Sequence, residues 1–276
     1  MGSESQRELS GIHRTAFSAA ALRAAHSLRG AEPKIFRDEL AFALTGMTED
    51  EIVALAARVP AASASTCVLR SRFTEDRLTV ARERLDQYVV LGAGLDSYAL
   101  RMGTQLGKLT VFEVDDPPFQ AWKRRRIEAL GLALPPQLRF VPCDFEQTPL
   151  AQALADSGFA DTEPCFISWL GVTQYLTRGA VRETLRWAAG RPVGSEIVVT
   201  FLEPNAQAER LRVSMAETGV ALLSHFTPAD MTAMLEEAGF ARIEHLTPAA
   251  ANERYFKNRS DGLTAPEIQR LVSATV

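Results

Sequence analysis

The most constraining feature of this chain is an apolar run that ends in a glycine turn. The residues at 89–91, Val-Val-Leu, are followed directly by Gly92-Ala93-Gly94. A run without alternating polar residues is typical of a parallel strand that helices cover on both faces. The two glycines permit a tight turn and let a ligand approach the backbone closely. The sequence therefore predicts an α/β fold with a ligand site at this turn.

A carboxylate at the end of the next predicted strand indicates the kind of ligand. The apolar segment 109–114 is followed by Asp115, which lies 115 − 94 = 21 positions after Gly94. In α/β folds such a carboxylate accepts hydrogen bonds from the ribose hydroxyls of an adenosine. This spacing suits NAD and S-adenosylmethionine equally, and an ordinary strand-to-helix turn without a ligand also stays open.

The residues after the turn distinguish these two cofactors. A dinucleotide fingerprint has a third glycine at the position where this chain has Ser97. Asp96 would stand close to a pyrophosphate at the helix N-terminus and repel it, whereas it would attract an ammonium group. S-adenosylmethionine carries an ammonium group and no phosphate, so these residues favour it over NAD.

Strands and helices alternate regularly along the rest of the chain. Strands are predicted at 87–92, 109–115, 138–143, 165–170, 196–202 and 241–246, with a last one near 271–275. Intervening helices of about 10–15 residues are typical of a parallel, doubly wound sheet. One α/β domain is therefore predicted over the whole chain.

Additions to this core are predicted at two places. Before the first strand, residues 1–10 are predicted to be disordered and 35–44 to be a helical or semi-helical piece that ends near Gly46. Thr48 and Glu51 have capping-box spacing, which begins a helix that stops at Pro60. The predicted division is a helical cap at 1–86, a core at 87–204 and 227–276, and a lid insertion at 205–226.

Charge and composition argue against several classes of function. Thirty Lys and Arg against 34 Asp and Glu give a formal net charge of −4, which does not favour nucleic acid or an anionic membrane as a partner. The basic run at 123–126 is predicted to be the solvated face of a helix. No apolar stretch reaches the roughly 18 residues of a membrane span, and the first residues lack a signal-peptide pattern, so we expect a cytoplasmic protein.

Cysteine and histidine usage indicates neither a metal site nor a disulfide framework. The three cysteines, Cys67, Cys143 and Cys165, are scattered, and the four histidines show no ligand spacing. Cys143 and Cys165 lie in apolar segments, where cysteine behaves as a small buried side chain. We therefore expect no metal.

Four segments taken together resemble the leucine carboxyl methyltransferase family. They are G-A-G-L-D at 92–96, F-E-V-D at 112–115, V-P-C-D-F at 141–145 and S-W-L-G-V-T-Q-Y-L at 168–176. The resemblance runs from about Thr15 to the C-terminus. The bacterial branch of this family includes O-methyltransferases of polyketide and other natural-product pathways. It implies a class I methyltransferase (Rossmann-like) fold, with a seven-stranded, mainly parallel sheet that has one antiparallel strand.

The resemblance implies cofactor contacts after the first three strands. It places Gly92-Ala93-Gly94 under the methionine part of S-adenosylmethionine and Asp115 on the ribose hydroxyls. Asp144 would accept a hydrogen bond from the adenine amine, and the N–H of Phe145 would hold the ring. Two helix-capping alternatives stay open: Asp144 for the helix predicted after it, and Asp115 for the helix that begins near Pro117.

The resemblance also assigns carboxylate-binding roles to arginines. Arg72 matches a family arginine that binds a carboxylate of the cofactor or of the acceptor, and the guanidinium geometry suits that task. Arg70 takes this role if the helix phase differs. A surface position for Arg72 stays open. Arg23 is a loosely aligned cofactor contact, and Arg101 is an arginine that either acts in the site or packs against its own helix.

One departure from the family pattern lies after the fourth strand. The leucine carboxyl methyltransferases proper have a cofactor-contacting glutamate where this chain has Leu170, which favours a small-molecule acceptor over a protein. Candidates for the acceptor side are Tyr98, Gln174, Tyr175 and His225. Arg72, Tyr175 and His225 are the candidates for positioning the acceptor, although His225 and Tyr175 also suit purely structural roles.

No residue in this pattern is a clear general base. A carboxylate acceptor needs none because it is already ionised, whereas a phenol with a pKa near ~10 would benefit from one. The sequence therefore favours methylation of a small carboxylate of a polyketide or other secondary metabolite, which yields S-adenosylhomocysteine. Methylation of a phenolic hydroxyl is the alternative, and an NAD-linked oxidoreductase or a non-catalytic S-adenosylmethionine-binding protein are lesser ones. A homodimer is left open.

Overall fold

A seven-stranded sheet forms the centre of the molecule. The computed structural model describes residues 11–145 and 147–276, so the prediction for residues 1–10 lies outside the described residues. The strands are β1 Gln87–Leu91, β2 Thr110–Asp115, β3 Leu138–Pro142, β4 Phe166–Trp169, β5 Glu196–Leu202, β6 Arg242–Leu246 and β7 Gln269–Thr275. Their spatial order is β3-β2-β1-β4-β5-β7-β6, and only β7 runs antiparallel to its neighbours. The predicted sheet of seven strands with one antiparallel strand is confirmed.

Helices precede the sheet and connect its strands. Those before β1 are α1 Gly11–Arg29, α2 Ala41–Thr45, α3 Glu49–Arg58 and α4 Ala61–Ala81. Those after it are α5 Tyr98–Met102, α6 Pro117–Ala129, α7 Leu150–Asp156, α8 Arg178–Ala189, α9 Ala206–Glu217, α10 Pro228–Ala238 and α11 Pro248–Ala251. A 3₁₀ turn at Gly103–Leu106 extends α5, and a π turn at Asn252–Phe256 extends α11.

Both faces of the sheet are covered, as the apolar run at β1 predicts. All five residues of β1 are buried, and so are all seven of β5. Alternate residues of β1 enter different cores: Val89 and Leu91 pack on the side of α8 and α10, while Val90 packs on the side of α4. Helix α4 is therefore one of the layers that cover the sheet.

Local sequence signals determine where several helices begin. The amide of Glu51 donates to the Thr48 hydroxyl over 3.2 Å, and the amide of Thr48 donates to the Glu51 carboxylate over 2.7 Å, so the capping box of α3 is confirmed. Of the helical or semi-helical piece predicted at 35–44, only the second part is a helix, because α2 covers Ala41–Thr45 and ends before Gly46. The Asp38 carboxylate accepts the Ala41 amide over 2.9 Å, which fixes the start of the helix three residues after Asp38.

The basic run on α6 is only partly solvated. Arg124 and Arg125 are exposed, as the sequence predicts. Lys123 is 1% exposed and pairs with Glu113 on β2, and the guanidinium of Arg126 donates to the carbonyl of Ala43 over 2.6 and 3.0 Å. The prediction of a solvated face is therefore wrong for Lys123 and Arg126, because acceptors on neighbouring elements, Glu113 and the half-buried Ala43, satisfy them.

Two further features are the burial of the cysteines and the lengths of the helices. Cys67, Cys143 and Cys165 are all buried with free thiols. Across residues 11–145 and 147–276 no single helix has the length and hydropathy of a membrane span. Helices α3 and α4 reach that length and composition only if they are joined across a 112° bend.

Two valines allow the contribution of the sheet core to the free energy of unfolding to be measured. Val198 in β5 is fully buried, whereas Val193 in the turn before β5 is 87% exposed. We expect Val198→Ala to lower the free energy of unfolding by about 2 kcal/mol because it removes two buried methyl groups and leaves a cavity. Val193→Ala is the control and should stay within about 0.5 kcal/mol of the parent in urea unfolding. Equal losses in both variants would contradict this picture of the core.

Candidate functional site

A large cavity lies at the carboxyl ends of the parallel strands. Its volume is about 1010 Å³, and its walls come from the segments that follow β1 to β5, from the start of β7 and from α1, α4 and α9. In doubly wound α/β folds ligands bind at this edge of the sheet. The cavity is therefore the candidate functional site.

The glycine turn after β1 forms the floor of the cavity. Gly92 and Gly94 have φ values of +67° and +51°, which suit glycine. A Cβ on Gly92 would stand 2.4 Å from a methyl group of Val172, so a side chain has no room there. The amides of Gly92 and Ala93 both donate to the Val114 carbonyl, over 2.9 and 3.0 Å. The turn is thereby held against the end of β2.

Asp115 is the best-fixed carboxylate of the cavity. One of its oxygens accepts the Gly94 amide and the other accepts the Asp116 amide over 2.7 Å. Burial raises the pKa of Asp115, although these two amides and Lys123 act to lower it. The residue that precedes α6 is Asp116, so the alternative that Asp115 is the helix cap is wrong. Each carboxylate oxygen can still accept a second hydrogen bond.

Asp144 and Phe145 line the cavity after β3. The Asp144 carboxylate accepts from the Gln147 side chain over 2.8 Å, and its carbonyl accepts the Thr148 amide over 2.7 Å. Helix α7 begins only at Leu150, after Pro149. The alternative that Asp144 caps the next helix is therefore wrong, because a turn separates the two.

Asp96 lines the cavity at the end of the glycine turn. Its carboxylate accepts a hydrogen bond from the Tyr98 amide over 2.8 Å, and α5 begins at Tyr98. Its carbonyl accepts from the ammonium group of Lys123 over 2.7 Å. Lys123 also contacts the Glu113 carboxylate over 2.5 Å. Burial raises the pKa of Glu113 to about 7, although Lys123 acts to lower it.

A second buried cation also holds this turn. Arg23 on α1 donates to the Leu95 carbonyl over 2.7 Å and to the Asp38 carboxylate over 2.9 Å. Burial acts to raise the pKa of Asp38, but Arg23, Arg101 and the hydroxyl of Ser97 outweigh it, so the pKa is lowered. The consecutive carbonyls of Leu95 and Asp96 thus each accept from a buried cation.

The structure distinguishes Arg70 from Arg72 on α4. Arg70 lines the cavity, and its guanidinium lies against Gly171, where an added Cβ would be 2.2 Å from Nη1. Among the described residues it makes no hydrogen bond or ion pair. Arg72 is outside the cavity lining and pairs with Asp76 over 2.8 Å. The prediction that Arg72 lines the site is wrong, because residues two apart on a helix point in nearly opposite directions.

Two predicted acceptor residues also lie outside the cavity lining. Tyr98 is 4% exposed, and its ring packs edge-on against Tyr88 with centroids 5.5 Å apart. The carbonyl of His225 accepts from Arg178 over 2.8 Å in the segment after α9. Tyr98 and His225 are therefore wrong as cavity-lining candidates. Arg101 lies outside as well and pairs with Glu75.

The remaining predicted residues do line the cavity. These are Gly92, Ala93, Gly94, Asp96, Asp115, Asp144, Phe145, Leu170, Gln174 and Tyr175, together with Arg23 and Arg70. Sequence analysis missed His13 on α1, Thr66 on α4, Gln269 on β7 and one face of α9. The face of α9 could have been found from its helical spacing of 207, 210, 211 and 214. Among the residues that the structure describes, no group of three or more His, Cys, Asp or Glu could hold a metal.

The buried pair behind the turn can be tested by removing one partner. We expect Lys123→Met to lower the free energy of unfolding by about 3–5 kcal/mol, because it leaves the Glu113 carboxylate buried without a cation. Adding Glu113→Leu to Lys123→Met should recover most of this loss, since no buried charge then remains. Urea unfolding measures both variants. A double variant as unstable as the single one would contradict the argument.

The chain is similar in sequence to known methyltransferases. The sequence pattern of the leucine carboxyl methyltransferase family matches residues 16–189. A Bacillus subtilis protein named "Putative S-adenosyl-L-methionine-dependent methyltransferase YktD" is 32% identical over 197 residues, which cover 68% of this chain and 64% of that protein. A similarly named Mycolicibacterium smegmatis protein is 33% identical over 182 residues, which cover 60% and 56%. The chain thus matches less than two thirds of the length of these relatives.

Solved structures share the fold at low sequence identity. A crystal structure titled "putative methyltransferase" from Thermobifida fusca matches with a TM-score of 0.62 and 15% identity, over 94% of this chain and 93% of that one. A protein of the DUF574 family from Streptomyces avermitilis matches with a TM-score of 0.56 and 14% identity, over 93% and 96%. The chain belongs to the leucine carboxyl methyltransferase family and has a class I methyltransferase fold.

Proposed function

We propose that the protein is an S-adenosylmethionine-dependent methyltransferase. The observation that carries this proposal is the half-buried carboxylate of Asp115, which the Gly94 amide fixes at the floor of the cavity. It has the position and the spare acceptor capacity to bind the two ribose hydroxyls of an adenosine. When bound, the cofactor would supply a methyl group activated by a sulfonium.

The other polar residues of the cavity fit the remaining parts of this cofactor. Asp144 and the Phe145 amide stand after β3, where they suit an adenine ring. Asp96 supplies a negative charge for the ammonium group, and Arg70 supplies a cation for the carboxylate. The same aspartates disfavour NAD, because a pyrophosphate would lie among carboxylates. The polar residues of the cavity lining therefore fit S-adenosylmethionine better than NAD.

The acceptor is placed on the opposite side of the cavity. The segment after β4, the end of β5 and helix α9 supply the apolar side chains Leu170, Leu202 and Leu211 and the ring of Tyr175. These side chains exclude water and orient an apolar body against the cofactor side. Leu170, in place of the family glutamate, keeps this side free of negative charge. A small apolar acceptor fits such a wall.

We infer that the accepting group is a carboxylate, so that the reaction forms a methyl ester. Among the described lining residues from β4, β5, β7 and α9 there is no Asp, Glu or His to remove a proton. A carboxylate needs no proton removed, whereas a phenol with a pKa near ~10 does. A carboxylic acid of a polyketide or another secondary metabolite suits this chemistry. A phenolic hydroxyl remains the second candidate.

Asp115 can be tested by ligand binding. We expect S-adenosylmethionine and S-adenosylhomocysteine to bind the parent protein in calorimetric titration, and NAD not to bind. Asp115→Ala should weaken both by about 100-fold or more, because two hydrogen bonds to a charged group are lost. Asp161→Asn, on the surface beside Arg191, is the control and should bind like the parent. NAD binding, or no binding of either adenosyl ligand, would contradict the proposal.

Arg70 and Arg72 form a matched pair for the cofactor carboxylate. We expect Arg70→Met to weaken the binding of S-adenosylhomocysteine about 10- to 100-fold, because a charge-assisted contact is lost. Arg72→Met should leave its affinity unchanged, because Arg72 pairs with Asp76 outside the cavity.

Methylthioadenosine, which lacks the amino-acid part, should bind the parent and Arg70→Met equally well. Calorimetry with both ligands therefore separates a carboxylate contact from a general loss of structure. Equal weakening of both ligands in Arg70→Met would show that Arg70 does not bind the carboxylate.

A further inference from the structure

Helix α9 presents one face to the cavity. Gln207, Arg210, Leu211 and Ser214 all line it, and their spacing of three, one and three residues puts them on one side of a helix. Arg210 is the charged residue of that face. Arg210 is exposed and lines the part of the cavity where we place the acceptor.

Arg210 differs from the other arginine at the centre of the same helix. Arg212 lies off the cavity face and forms a two-pronged pair with Glu209, with Nε 2.9 Å from one carboxylate oxygen. Arg210 makes no hydrogen bond or ion pair with any residue in the described ranges. An arginine that lines a cavity without an acceptor can bind an anion from solution.

The charges of the cavity are segregated. Its described acidic residues are Asp96, Asp115, Asp116 and Asp144, which all follow β1, β2 or β3. The described lining from β4, β5, β7 and α9 has no acidic residue. Of the basic residues on the cap helices, Arg23 is already paired with Asp38, His13 contacts Asp116 over 3.1 Å, and Arg70 is the one that we assign to the cofactor. Arg210 is therefore the one charged residue of the described lining from β4, β5, β7 and α9.

The surroundings of Arg210 combine an apolar wall with unmatched polar groups. Leu202, Leu211, Ile268 and Tyr175 belong to one apolar cluster and line the cavity. Gln269, at the start of β7, lines the cavity too and is 5% exposed. Its side-chain oxygen has no hydrogen-bond donor among the described residues, which is costly for a buried acceptor. The same holds for the side-chain oxygen of Gln174, which is 6% exposed.

We propose that Arg210 is a specificity-determining residue that binds the acidic group of an apolar organic acid, the methyl acceptor, which also offers a hydroxyl or N–H group to this wall. The proposal rests on the proposed function, since it identifies the substrate class of the same cavity. Arg70 serves the cofactor and Arg210 serves the acceptor. Two unpaired arginines in one cavity thus have separate tasks.

The test uses two fluorescent probes of similar shape and different charge. Protein saturated with S-adenosylhomocysteine is titrated with 8-anilinonaphthalene-1-sulfonate, an apolar anion, and with N-phenyl-1-naphthylamine, its uncharged counterpart. The parent should bind the anion more tightly. Arg210→Met should lower the affinity for the anionic probe by at least about 10-fold, as expected for loss of a charge-assisted hydrogen bond. The affinity for the uncharged probe should change by less than about twofold.

Two further variants control for structure and charge. Arg212→Met removes the same charge from the same helix off the cavity face, so it should leave both probes unchanged. Arg210→Lys should retain much of the preference for the anion. An equal loss for both probes in Arg210→Met, the same loss in Arg212→Met, or no preference for the anion in the parent would overturn the proposal.

Failure of the proposed function gives a different result. S-adenosylhomocysteine binding to the parent and to Arg210→Met is measured by calorimetry before the probes are added. If this ligand binds neither protein, the methyltransferase proposal fails, whatever the probes show. If it binds both equally and the anion preference is absent, only the role of Arg210 fails.

Discussion

The site depends on two buried cations that hold the turn after β1. Arg23 on α1 binds the carbonyl of Leu95, and Lys123 on α6 binds the carbonyl of Asp96. Each cation is paired with its own buried carboxylate outside the cavity lining. The aspartates that line the cavity are therefore not needed to pair these cations. Because buried charges are tolerated only when paired, these contacts specify one position for the turn. The geometry of Asp115 follows from it, since its carboxylate accepts the Gly94 amide of that turn.

This arrangement joins the N-terminal helices to the sheet as one structural unit. Helix α4 is both a layer over the sheet and the source of Arg70, and α1 contributes both a clamp and part of the cavity wall. The cavity thus has one side built from strand ends and aspartates, where we place the cofactor, and one built from apolar residues and α9, where we place the acceptor. The separation of charge between these sides is a property of the fold, because the strands β1 to β3 are neighbours in the sheet.

Sequence patterns predicted the features that depend on local chemistry. The strands, the capping box of α3 and the cavity positions of Asp115 and Asp144 could be read from apolar runs and turn residues. The choice between Arg70 and Arg72 could not, because α4 is covered on several sides and its apolar residues do not define one phase. The burial of Lys123 was missed since its partner, Glu113, lies ten residues away on β2. Tyr98 and His225 were misplaced because their side-chain directions depend on long-range packing.

The buried hydrogen bond from Arg23 to Leu95 also bears on how ligands enter and leave. Swinging α1 away from the sheet would strip Arg23 of both its acceptors inside an apolar environment, which makes this route slow. Helix α9 has a single buried residue, Ala208, and most of its surface faces solvent. Exchange of small molecules should therefore proceed by displacement of α9, while the end of the cavity that the glycine turn forms keeps its shape.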